Sequence, residues 1–385
     1  MSKAFVQGVG IHPFGRWADK STIEMCQVAI DQALKDAGLT FSQVQAAYLG
    51  AEFSGFFDGR MIIQSMGWTG IPITQTQQAC ASGSAAFREA YYSVVSGRND
   101  VVLVVGYEKM GRGLISGGEP ERDGEFHLHY MGLDLTPARI AMSMQRRLSE
   151  DEDFADAMVA EAVQCYEYGR LNPNGHYQKH VTADDVINSA VICSPLTKLM
   201  CCPNSDGASA ALICSEKMSR ELGQARAIEI AAEASGSPDD SELDGGPGPH
   251  IGGDFKSGSL TRRIVKQAYE RAGVGPDDID VVQCHSPFAG GGILCAEALE
   301  FCADGDGSRF WLDGHARADG KTPINTDGGL LSRGHPLGAT GVVEIYELVR
   351  QLRGEAGAHQ VPGRPKVAMQ HNTGLGCLNM HILKR

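Results

Sequence analysis

Four short segments carry side chains that could do chemistry together: Cys80 in QACASGS, His285 in CHSPF, His335 in SRGHPLGATG, and the closing QHNTGLGC (370–377). The neighbours of Cys80 (Ala79, Ala81, Ser82, Gly83, Ser84) are small and leave its sulfur open to a long, thin substrate. Behind it, Ala86/Phe87, Ala90/Tyr91 and Val94/Val95 recur at helical spacing, and Gly97 ends the helix. A cysteine at a helix N-terminus gains from the helix dipole and free N–H groups, which stabilise a thiolate and later an oxyanion. A histidine within its reach completes the pairing that thiolate chemistry needs. His285 would supply one oxyanion donor, and the backbone N–H groups of Cys80 and Thr373 a second hole. Singly, each residue is as compatible with a structural role; the constellation carries the reading.

The elements that must position these residues form a repeat. A strand from Ala4 to Val9, a helix from Ser21 to Ala37 with Ser21 and Glu24 as a capping pair, and a strand from Val44 to Leu49 make a parallel crossover unit. The stretch 225–234 repeats the first strand, and GSLTRRIVKQAYERAGVGPDDIDVVQCH repeats the helix and second strand. Gly38 then aligns with Gly273 and Val44 with Ile279 at the same offset. The Cys80 unit has its own twin, HPLGATGVVEIYELVRQLRG followed by the strand PKVAMQH. Matching Gly83 to Gly338 and Tyr91 to Tyr346 places Cys80 on His335. Two halves, 1–224 and 225–385, therefore present a cysteine and a histidine at equivalent helix N-termini. Residues 111–200 break the pattern and read as an insertion into the first half, before a strand from Ala208 to Cys214. Such an insertion covers an active site or forms a subunit contact. Its Phe126, Tyr130, Met131, Met142 and Met144 read as core, with an acyl-pocket lining as the alternative. Gly245–Gly253 reads as a loop, facing either substrate or solvent.

Composition narrows the functional classes. Of 385 residues, 42% are hydrophobic and 21% charged, which is a globular balance. A net charge of -13 argues against nucleic acid and anionic membranes as partners. The sequence has no bilayer-length apolar run, no signal-peptide core in MSKAFVQGVG and no peroxisomal address in HILKR. Eleven cysteines without a regular framework read as reduced thiols, so a cytoplasmic location is expected. The spacing of Cys193, Cys201, Cys202 and Cys214 fits no common zinc knuckle, and no metal is expected.

The cysteine segment, CCPNSDGASA, NTDGGLLSRGHPLGATG and QHNTGLGC resemble those of the thiolase superfamily, most closely its sterol carrier protein-type branch, over essentially the whole chain. The resemblance implies an α/β thiolase fold: two βαβαβαββ halves in a five-layered αβαβα arrangement with an inserted loop domain. It implies a homodimer or larger assembly and coenzyme A as co-substrate, with no permanently bound cofactor. By the same likeness Cys80 carries the acyl group, His335 activates it and shares an oxyanion hole with His285, and the Cys80 and Thr373 N–H groups bind the acyl-enzyme oxyanion.

One departure stands out. Thiolases carry a second cysteine as acid/base, either where this chain has His371 or, in the sterol carrier branch, where it has Pro287. Both places lack it here, leaving His371, Cys377 and Cys284 as candidates, and His285 itself. This variation resembles a bacterial subgroup acting on bulky or aromatic β-ketoacyl-CoA, whose members pair with a small zinc-ribbon/OB-fold protein. Benzoylsuccinyl-CoA of anaerobic toluene degradation is one substrate that would suit. Two other readings stand beside thiolysis: a retro-aldolase acting on a β-hydroxyacyl-CoA, and a non-catalytic acyl- or lipid-binding scaffold. The retained Cys80 favours thiolysis.

Overall fold

The computed structural model describes residues 2–53, 55, 57–111, 113, 135–239, 259–374 and 376–385. The loop Gly245–Gly253 and the residues Phe126, Tyr130 and Met131 lie outside them. The first half runs β1 (Ala4–Gly15), α1 (Thr22–Ala37), β2 (Ala46–Gly50), α2 (Asp58–Met66), β3 (Ile73–Thr76), α3 (Ser82–Val95) and β4 (Val101–Glu108). Helices α4 (Thr136–Glu150) and α5 (Phe154–Gly169) follow, then a short hairpin of β5 (Val191–Cys193) and β6 (Leu196–Thr197), and β7 (Asp206–Ser215). The second half runs β8 (Ile228–Gly236), α6 (Ser259–Ala272), β9 (Val281–Cys284), α7 (Gly291–Ala298), α8 (Leu337–Arg353), β10 (Val367–Gly374) and β11 (Cys377–Lys384).

Hydrogen bonding orders the main strands β3-β2-β4-β7-β1-β8-β11-β10-β9. Pairs β2–β3, β2–β4 and β9–β10 are parallel; β7 and β11 run antiparallel to their neighbours. The halves join where β1 meets β8, with Phe5 opposite Glu229 and Val6 opposite Ile228. Three apolar cores separate the layers. Met25 and Ile30 of α1 pack on Leu103 and Leu212 of the first sheet. Between the sheets, Phe87 and Val94 of α3 and Val342 and Val349 of α8 pack with Val102, Val104, Ala368 and Leu383. The third core joins Ile264 of α6 and Ile293 of α7 to Met369, Met380 and the inserted helices. This is the expected five-layered thiolase arrangement, with α3 and α8 as its central layer.

Because α8 is covered on every side, it buries Glu344, Glu347 and Gln351 as well as its apolar residues. Crossing with α3 requires glycine. A Cβ on Gly83 would lie 2.3 Å from the Gly338 carbonyl oxygen, and one on Gly338 would lie 2.4 Å from that of Tyr107. The inferred repeat is physical. Gly38 and Gly273 both take left-handed φ, 69° and 64°, and Val44 and Ile279 each end a short 3-10 turn. The capping pair on α1 is present, with Ser21 N–H donating to the Glu24 carboxylate at 2.7 Å.

Two expectations need adjustment. The first strand extends to Gly15, because β1 continues to pair with β7 as far as Asp206. The third strand of the second half is reduced to a single bridge, Val282 to Ile324, so that half departs from the full βαβαβαββ pattern. In the insertion, Met144 is core, as expected, while Met142 is exposed and departs from the core expectation. Among the described residues no helix is long and apolar enough to cross a membrane.

Candidate active site

Cys80 lies in the turn that leads into α3, and the turn is built to present it. Ala79 takes φ 48°, a left-handed conformation that costs a non-glycine residue about 1 kcal/mol or more. The Ser82 hydroxyl spans the turn, accepting from Gln78 N–H at 2.8 Å and donating to the Ala79 carbonyl at 2.7 Å. The Glu52 carboxylate accepts from Ala79 N–H at 2.9 Å. Glu108, at the end of β4, accepts from the N–H groups of Glu52, Phe53 and Gly338. One buried carboxylate thus ties the cysteine turn to the first residues of α8. Burial pushes Glu108 up to about 7, against the pull of those three donors.

His335 precedes α8 as Cys80 precedes α3, and the two meet His285 in one cluster. The Cys80 sulfur and one ring nitrogen from each histidine lie within 4.8 Å of one another. The histidine rings meet edge to face, with centroids 5.1 Å apart. Hydrogen-bond partners fix both tautomers. The Thr340 hydroxyl donates to the Pro336 carbonyl at 2.9 Å, so its oxygen accepts from His335 Nδ1–H at 2.7 Å. That leaves His335 Nε2 bare, buried and without a hydrogen-bond partner. In His285 the roles reverse. The Asn372 amide donates to Nδ1 at 3.1 Å while its oxygen accepts from the Ser84 hydroxyl at 2.6 Å, so Nε2 carries the His285 proton.

Electrostatics correct one expectation. Burial, and next the charge of Glu52, push the Cys80 thiol up to about 12 even though Cys80 keeps some surface exposure. Atoms crowd around the sulfur while leaving a path to it, and desolvation outweighs the helix N-terminus. The resting Cys80 side chain is a thiol, not the dipole-stabilised thiolate expected from its position. Burial, then His285 and Arg333, hold His335 well below its ordinary value. A neutral imidazole beside a neutral thiol is a base waiting for its proton.

Thr373 lies near the end of β10. β10 and β11 pair as far as Gly374 and Cys377, and Thr373, opposite Leu378, faces away from β11. His371, of the same parity, confirms the sense: its carbonyl accepts from His285 N–H at 2.9 Å. A Cβ on the next residue, Gly374, would lie 2.0 Å from the Gln78 carbonyl, so this strand end abuts the Cys80 turn. The 201–205 segment of CCPNSDG brackets both histidine loops. Cys202 N–H donates to the Pro287 carbonyl at 2.9 Å, and the Ser205 hydroxyl accepts from His335 N–H.

The candidates for a second acid/base separate. Cys284 is fully buried and held by Asn325, whose amide donates to its carbonyl at 3.0 Å and its sulfur at 3.4 Å. Cys377 begins β11 and does not line the cleft beside the site. His371 lines that cleft together with His285 and Thr373. Several groups escaped sequence reasoning. Asn372 and Thr340 adjoin residues already singled out, and their hydrogen-bonding side chains were the available signal. Glu161 of α5 accepts from the Ser286 hydroxyl and from the N–H groups of Gly290 and Gly292, holding the HSPF loop from the insertion. Nothing in its helical sequence marked it. Burial pushes it up to about 7.

Comparison with known proteins identifies the family. The family "Thiolase, N-terminal domain" matches residues 9–217 and "Thiolase C-terminal domain-like" matches 254–383. Sterol carrier protein 2 of Oryctolagus cuniculus is 35% identical over 98% of this chain and 70% of its own length. Acetyl-CoA acetyltransferase of Methanothermobacter thermautotrophicus is 34% identical over the whole of both chains. Benzoylsuccinyl-CoA thiolase subunit BbsB of Thauera aromatica is 32% identical over 97% of this chain and 95% of its own. Among solved structures, an Ltp2-ChsH2(DUF35) aldolase superposes with a TM-score of 0.85 at 24% identity, covering 99% of this chain and 97% of that one, and shares the fold. The chain belongs to the thiolase superfamily, on its sterol carrier protein-type branch, and is an acyl-CoA C-acyltransferase of that family.

Proposed function

We propose that the protein is a coenzyme A-dependent thiolase that cleaves a bulky or aromatic β-ketoacyl-CoA through an acyl-Cys80 intermediate. The observation that carries this reading is the cluster of the Cys80 sulfur with a ring nitrogen of His335 and one of His285, all within 4.8 Å, in which His335 Nε2 has no hydrogen-bond partner. In the first half-reaction Cys80 attacks the keto carbonyl as His335 takes its proton, and His285 Nε2–H donates to the developing oxyanion. The carbon–carbon bond breaks and the departing thioester is protonated. In the second, coenzyme A takes the acyl group from Cys80, with the Cys80 and Thr373 N–H groups as oxyanion donors. Benzoylsuccinyl-CoA is the specific substrate proposed, on the likeness to BbsB.

Two partners belong to the proposal. A small zinc-ribbon/OB-fold subunit is supported by the naming of BbsB as a subunit and by the Ltp2-ChsH2(DUF35) complex. A homodimer is supported by β3, an exposed edge strand flanked by Trp68, 83% exposed, and by Met61 and Ile73.

The test is turnover of benzoylsuccinyl-CoA, acetoacetyl-CoA and a β-hydroxyacyl-CoA, with and without free coenzyme A and the partner. Thiolysis predicts two thioester products and a strict requirement for free coenzyme A. Release of an aldehyde or ketone without that requirement would replace this reading with retro-aldol cleavage.

A further inference from the structure

A narrow cleft opens beside the Cys80 cluster, sharing His285 and Thr373 with the site already described. Its far wall holds two titratable side chains, Cys295 of α7 and His371 of β10. The Cys295 sulfur lies 3.8 Å from His371 Nδ1, and His371 Nε2 lies 3.1 Å from the Thr261 hydroxyl of α6. A thiol, a base beside it and a third group orienting that base from its other nitrogen form the arrangement that activates a cysteine. The remaining lining, including Gly291, Leu294 and Ala298, is small or apolar. Three separate elements converge to make this trio.

We propose that Cys295, positioned by His371 and Thr261, is the acid/base that exchanges protons with the substrate α-carbon and with coenzyme A. The assignment rests on the thiolase reading above. Pro287 cannot transfer a proton, the Cys284 thiol is fully buried between Asn325 and Cys295 and does not line the cleft, and Cys377 is outside it. Cys295 comes from a helix that the sequence motifs did not mark. When the carbon–carbon bond breaks, the carbanion of the departing thioester takes the Cys295 proton: a C–H bond forms and an S–H bond breaks. The resulting thiolate is held beside His371. Coenzyme A then gives its thiol proton to Cys295 as its sulfur attacks the acyl group on Cys80. Cys80 leaves and recovers its proton from His335. Protons and electron pairs balance, and no oxidant enters.

Two measurements separate this assignment from the reading beneath it. The first is acetylation of Cys80 by S-acetyl-4-nitrothiophenol, whose leaving thiolate needs no proton, followed by intact mass. The second is exchange of the methyl protons of acetyl-CoA for deuterium in D2O, followed by NMR. Wild-type protein should do both. Cys295→Ser and Cys295→Ala should acetylate within about threefold of wild type and lose exchange by about 10²-fold or more. His371→Asn should lose exchange to a lesser degree, since it removes the partner and keeps the thiol. Exchange at the wild-type rate in either Cys295 variant overturns the assignment, as does a wild-type protein that is acetylated but catalyses no exchange. A wild-type protein that is never acetylated on Cys80 overturns the thiolase reading itself. A merely structural Cys295 would lower thermal stability and both rates together.

Discussion

Replacing Thr340 by valine tests the claim that His335 is held as a base by its own helix. Thr340 is fully buried, and its oxygen is the acceptor for His335 Nδ1–H at 2.7 Å. Valine preserves the β-branched shape and removes that acceptor together with the hydroxyl's donation to the Pro336 carbonyl, which serine keeps. Either Nδ1–H is then left buried without a partner, at about 1–3 kcal/mol, or the proton moves to Nε2 and the base is lost. At about 1.4 kcal/mol per tenfold, acyl transfer to Cys80 should slow by about 5- to 150-fold. The assay is a quenched time course of acyl-Cys80 formation by intact mass, with thermal melts alongside. Thr340→Ser, which keeps the oxygen, should stay near wild type. A valine variant within twofold of wild type, or a serine variant as slow as valine, would refute the reasoning.

Three further outcomes follow from the same geometry. Asn372→Leu removes the donor that fixes the His285 ring, and kcat/KM for thiolysis should fall by about 10²-fold; a fall below threefold counts against His285 as the oxyanion donor. The pH profile of Cys80 acylation should be flat through neutrality. The active imidazole is the neutral form, so holding His335 well below 6.5 moves the acid limb below that value, and a thiol near 12 gives no alkaline rise between about pH 7 and pH 9. A limb centred above 6.5 or a tenfold alkaline rise would contradict the neutral thiol–imidazole pair. At the β3 edge, Ile73→Lys should weaken self-association by at least about tenfold in sedimentation velocity; an unchanged dimer would place the interface elsewhere.

Much of this was legible in the chain because the repeat is enforced by backbone geometry. Gly38 and Gly273 are fixed by the left-handed turns that end α1 and α6, so their equal offset reported a real duplication. Cys80 and His335 fell on the same position for the same reason, each in a loop that enters a central helix. What stayed hidden depends on contacts across long sequence separations. That Glu161 reaches the HSPF loop, or that Glu108 ties two halves together, follows from packing and not from local pattern. The thiol state of Cys80 was missed because position at a helix N-terminus reveals the dipole but not the desolvation that outweighs it. Cys295 was missed for a simpler reason: in GGILCAEAL it reads as one more small apolar residue, and only the fold brings His371 to it.

The most direct test of the central claim is the intact mass of the protein after brief exposure to acetyl-, succinyl- and benzoyl-coenzyme A, with peptide mapping and a Cys80→Ser control. The account predicts a single acyl adduct on Cys80 from at least one donor, absent in the serine variant. No adduct from any donor with the candidate subunit present, or an adduct that persists in Cys80→Ser, would contradict it.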